Sequence, residues 1–130
     1  MAGATKEWTR QYERYTQRGF LVRVYRNMLS RVLGVQKKEA SYYQGLSILP
    51  KNIFYMWAVG DAEFQRLWPI WQASGLDRKL TPSIDRLDVT RGYVLDNMQW
   101  LTHSANSGKL TRRDNTTRLR GDAWHKAHKR

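Results

Sequence analysis

Cysteine is absent from the chain, and that absence excludes disulfide staples, thiolate-bound zinc and thiol catalysis together. It suits a reducing compartment. No apolar run approaches the ~18 residues that a membrane-spanning helix needs. The stretch Met1 to Arg18 is polar and charged, without the apolar core of a secretory signal. A soluble, intracellular protein with no membrane partner is expected. No internal repeat and no linker divides the sequence, and 130 residues suffice for one domain but not for two ordinary ones. The last scarcity is negative charge. Asp and Glu number 11 against 23 Lys and Arg, a formal net charge of +12. A surface so basic calls for an acidic partner, most commonly nucleic acid, although an anionic membrane or a histone-like packaging role follows the same charge logic.

What is present is aromatic and helical in its first half. Thr5 to Gln17 reads as a polar helix with Trp8, Tyr12 and Tyr15 on one side, and with Arg10, Arg14 and Arg18 in a stripe that either meets solvent or phosphate. Gly19 is expected to punctuate. From Phe20 to Leu33, the residues Leu21, Tyr25, Met28, Leu29 and Val32 recur at helical spacing as a core-facing stripe, with Gly34 as the C-cap. Val35 to Leu49 reads as a loop with a short extended piece. Pro50 opens a helix that carries Ile53, Phe54 and Trp57 inward. Asp61 caps the next one, which buries Phe64, Leu67, Trp68 and Trp71 and which Pro69 is expected to kink or divide. Helical spacing assigns these rings to the core ahead of base stacking.

After Gly75 the pattern changes. Pro82 to Leu87 alternates like a strand, Arg91-Gly92 signals a turn, and Met98 to Leu101 reads as a second strand. Ser104 to Arg113 fits a helix with Leu110 turned back on the strands. The expected fold is α+β: one domain over 1–114, helical from 5 to 75 and ββα from 82 to 113, followed by a basic, flexible tail at 115–130. Within the ββα unit, Asp85 and Asn106 are an oxygen pair able to hold a hard divalent cation, with water and phosphate completing its shell. Asn97 can pin the intervening loop through its amide, and Asp88 is read first as a turn former.

The segment "SIDRLDVTRGYVLDNMQWLTHSANSGK" (Ser83 to Lys109) resembles the ββα-metal motif of HNH endonucleases. The resemblance sets Asp85 on the family's metal-binding Asp, Arg86 on its general-base His, Asn97 on its middle Asn and Asn106 on its last metal ligand. Lys109 falls on a Lys common at that helical position. "IDRLD", "GY" and "QW" are similar to a branch frequent in bacteriophages, as are "YRNM" (Tyr25 to Met28) and "FYMW" (Phe54 to Trp57). The resemblance implies a Mg²⁺- or Mn²⁺-dependent nuclease or nickase acting on DNA, most simply double-stranded, in the cytoplasm of a bacterial host if phage-encoded. Thr102 and Ala105 stand where many members carry zinc-binding Cys, so no structural zinc is expected and apolar packing through Ile84, Leu87, Met98, Trp100 and Leu110 takes its place.

Arg86 departs from the family pattern. A guanidinium remains protonated and cannot serve as a base, but it can clamp a phosphate and stabilise transition-state charge. The proton then falls to His103, one helical turn before Asn106, to Asp88, or to water activated by the metal alone. If none serves, the chain is a DNA-binding protein on a degenerate HNH scaffold. A basic RNA-binding protein is a third class, disfavoured because no RRM or KH signature occurs. Lys109, Arg112, Arg113, Arg118 and Arg120 extend the candidate DNA contacts from the last helix into the tail, supplying affinity without sequence information.

Binding dominated by phosphate neutralisation has a measurable signature. Affinity for duplex DNA should fall with salt by about 0.9 in log–log slope per neutralised phosphate. Removing residues 115–130 should weaken binding and flatten that slope. A fluorescence-anisotropy salt titration of both forms checks this, and an unchanged slope removes the tail from the footprint.

Overall fold

The computed structural model describes residues 6–34 and 45–108 of the chain. Over these it is an α+β fold, with helices first and then an antiparallel hairpin crossed by a helix. The readings for Lys109, Leu110, Arg112, Arg113, Arg118, Arg120 and the tail lie outside the described residues.

Helix α1 (Lys6–Tyr15) packs on α2 (Gln17–Val32). The break between them falls at Thr16, not at Gly19 as expected. Thr16 leaves the helical region (φ −120°, ψ 141°), and its Oγ1 accepts from Gly19 N at 2.9 Å while donating to Tyr12 O at 2.7 Å. It therefore caps one helix and ties it to the last turn of the other. Gly19 lies inside α2, and its value is spatial. A Cβ there would stand 2.2 Å from Tyr12 O, a backbone atom that cannot give way without moving α1.

The predicted stripe on α2 buries Leu21, Met28 and Val32, and Tyr25 is half-buried with its hydroxyl donating to Leu49 O at 2.7 Å. Burial pushes the Tyr25 phenol up from its ordinary value, so it remains a donor. Leu29 is 36% exposed, on the flank of the stripe and not in it. Gly34 follows the helix with φ 76°, a left-handed conformation that an L side chain resists, and donates to Arg31 O.

Pro50 is the residue before α3 (Lys51–Val59), not its first turn, and Phe54 is the fully buried ring of that helix. Asp61 caps α4 (Ala62–Ala73), its Oδ2 accepting from Glu63 N and Phe64 N at 3.1 and 3.0 Å. Pro69 does not divide α4, which runs through it. Pro69 and Gln65 both lie on the exposed side, where water can satisfy the carbonyl that proline leaves without a helical donor.

A 3₁₀ turn (Arg78–Leu80) leads into β1 (Pro82–Arg86), which pairs with β2 (Met98–Thr102). The register sets Pro82 opposite Thr102, Ser83 opposite Leu101, Ile84 opposite Trp100, Asp85 opposite Gln99 and Arg86 opposite Met98. Helix α4 touches both strands and α3, so it joins hairpin to helices. Trp100 is the centre of that junction: its ring lies 4.6 Å from Phe64, stacks on Trp57 at 5.9 Å and meets Phe54 at 6.3 Å. Of the residues expected to hold the hairpin, Met98 and Trp100 are buried and Ile84 is half-buried, whereas Leu87 is 41% exposed and takes no part. A final helix, α5, runs over 103–108, one residue earlier than expected, because Thr102 Oγ1 accepts from Ala105 N and caps it. No helix among the described residues is long and apolar enough to cross a membrane.

Gly19→Ala sets two effects against each other. Alanine gains up to about 1 kcal/mol of helix propensity, and the collision with Tyr12 costs about 1–3 kcal/mol. The collision involves backbone, so it should win, and chemical denaturation should show a net loss of stability.

Candidate active site

Directly opposed residues on an antiparallel pair share a face. Ser83, Asp85, Gln99 and Leu101 therefore stand on one face of the hairpin. Ile84, Arg86, Met98 and Trp100 stand on the other, which meets the helices. The expected site residues are split by this alternation.

On the first face, Asp85 is only 4% exposed, and its Oδ2 accepts from Gln99 Nε2 at 2.9 Å. Asn106 of α5 crosses β1 immediately before it. Asn106 Nδ2 donates to Ser83 Oγ at 2.9 Å and to the Ile84 carbonyl at 3.1 Å. A carbonyl can only accept, so the amide nitrogen is fixed against the strand and Oδ1 is turned away from it. Asp85 and Asn106, read as metal ligands, are thus neighbours across one peptide. Both offer hard oxygen, which suits Mg²⁺ or Mn²⁺ over softer ions. Among the described residues no three His, Cys, Asp or Glu converge. A cation held here would draw most of its shell from water and phosphate.

His103 opens α5 and is half-buried, with its backbone N–H bonded to Thr81 O at 2.8 Å. That ladder position lies four residues from Asp85, about 13 Å along the strand. Asn106 thus lies against Ser83 and Ile84, while the backbone of His103 joins the ladder ahead of Pro82.

Arg86 is on the face away from Asp85 and only 6% exposed. Its Nη1 donates to both Val89 O and Arg91 O at 2.8 Å, and its Cζ sits 5.7 Å from the centre of the Tyr93 ring. Asn97, 1% exposed, grips the same loop. Its Oδ1 accepts from Asp88 N at 2.8 Å, and its Nδ2 donates to Asp88 O and Gly92 O at 3.0 and 2.9 Å. Asp88 turns the chain as read, its Oδ1 accepting from Thr90 N and Oγ1. The loop also closes on the helical part. Tyr93 N donates to Ser47 O, Leu49 N donates to Tyr93 O, and a Cβ on Gly92 would lie 2.0 Å from Ser47 O.

Sequence reading gave no role to Gln99, Ser83 or Tyr93. Gln99 carries a signal once the hairpin register is fixed, being a polar residue between two buried apolar ones and directly opposite Asp85. Tyr93 carries none, because its partners come from Ser47, Leu49 and Arg31, the last donating to its hydroxyl at 3.4 Å.

Arg86→Met removes the donor from two loop carbonyls in a buried setting and should cost about 2 kcal/mol or more, read by urea denaturation. Arg86→His should be destabilised as well, because an imidazole cannot reach both carbonyls. A stability equal to wild type in both variants would show that the loop needs no such staple.

Comparison with protein-family models, with curated proteins and with solved structures returns no match to this chain.

Proposed function

We propose that the chain is a metal-dependent DNA endonuclease or nicking enzyme of HNH type, hydrolysing phosphodiester bonds. The observation that supports this best is the pairing of Asp85 with Asn106. The buried Asp85 carboxylate lies on the outer hairpin face, and the Asn106 amide is anchored to the Ile84 carbonyl immediately before it. Mg²⁺ or Mn²⁺ in such a site supplies Lewis-acid polarisation of the scissile phosphate and activation of water. Asp85 would provide the anionic ligand and Asn106 the neutral one. Asn97 holds the loop between the strands in a fixed shape, and the +12 charge supplies the field that draws in DNA.

A second reading, a DNA-binding protein on a disarmed HNH scaffold, is favoured by one specific observation. The guanidinium that stands in the place of the family's base is bonded to loop carbonyls on the face away from Asp85. The two readings part on a single assay. Supercoiled plasmid incubated with the protein and Mg²⁺ or Mn²⁺ should be nicked or linearised, and EDTA should stop the reaction. Asp85→Ala should abolish cleavage and leave gel-shift affinity within about twofold, since it deletes a ligand and no phosphate contact. DNA binding with no cleavage under any divalent metal selects the second reading.

A further inference from the structure

On the outer face of the hairpin, the Gln99 side chain touches Asp85 and belongs to no expected ligand set. It lies directly across the ladder, in register, and the contact is between side chains at 2.9 Å. A carboxylate oxygen only accepts, so Nε2 is the atom facing it. The bond fixes Oδ2 and with it the rotation of the whole carboxylate, in a position where Asp85 is buried. Gln99 is itself held in place from below, because the residues on either side of it, Met98 and Trp100, are locked into the core.

We propose that Gln99 is a positioning residue that orients the Asp85 carboxylate for a divalent cation. This rests on the metal-site reading above. The choice of side chain fits the task. Lys or Arg at this position would also donate to Asp85, but its positive charge would compete with the cation for the same carboxylate. A neutral amide orients the ligand and leaves its full charge in place. Residues that hold a metal ligand in its binding orientation commonly contribute ten- to a hundredfold to metal affinity.

The test is Mn²⁺ binding to the full chain, followed by the free-Mn²⁺ electron paramagnetic resonance signal, for wild type, Asp85→Asn, Gln99→Met and Gln99→Glu. Gln99→Met keeps the length of the side chain and loses the donor. It should bind Mn²⁺ about tenfold more weakly or worse, with an unchanged thermal midpoint. Gln99→Glu sets a second carboxylate beside Asp85 and should bind at least as tightly as wild type. Its recovery separates ligand chemistry from strand packing. A loss in Gln99→Met accompanied by a lowered thermal midpoint would assign Gln99 a packing role and overturn the proposal. So would wild-type affinity in Gln99→Met while Asp85→Asn has lost it, which leaves the metal site standing. If Asp85→Asn binds Mn²⁺ as wild type does, the metal site and the proposal fall together.

Discussion

The burial of Trp100 is the constraint on which the hairpin depends. Its ring packs against Phe54, Trp57 and Phe64, and among the described residues it is the largest fully buried side chain. Because successive side chains of a strand alternate in direction, fixing Trp100 inward fixes Gln99 outward, and the ladder then fixes Asp85 outward as well. A slip of one residue would drive the carboxylate into an aromatic core, where an unpaired charge costs several kcal/mol. The aromatic core thus decides which way the candidate ligand faces.

The same alternation explains why Arg86 does what it does. As the next residue after Asp85 it must face the helices, a poor place for a cation unless it is compensated. Two carbonyls and the face of Tyr93 supply that compensation. Arg86 and Asn97 between them bond the carbonyls of Asp88, Val89, Arg91 and Gly92, in a segment that forms no regular ladder of its own. The loop is thereby fixed in shape without being a secondary-structure element.

The order of helices, hairpin and final helix was legible from periodicity because each element declares its buried face locally. The cap at Asp61 and the left-handed Gly34 were legible for the same reason. Asn97 as a loop-pinning amide and Asp88 as a turn former could also be read, since their partners lie within ten residues. The helix break was misplaced because Thr16 and Gly19 each look like punctuation. Only the fold shows that one is a cap and the other a close approach. The division of Asp85 from Arg86 follows from strand alternation, but the partners of Arg86 do not. The contacts of Tyr93 with Ser47 and Leu49 join segments more than forty residues apart, and no local pattern announces them.

Those contacts bear on how portable the ββα unit is. Ser47 O and Leu49 N bond to Tyr93 from the helical part, and Gly92 leaves the two backbones no room to separate by a side chain. Trp100 draws its packing from helices that lie earlier in the chain. Cut out of this context, the segment from Pro82 onward would lose the wall behind its ladder, and a lone two-stranded hairpin is marginally stable at best. The ββα unit is therefore less an independent module carrying its own stability than the last storey of a building whose lower floors are helical. Its chemistry could not be transplanted without the structure beneath.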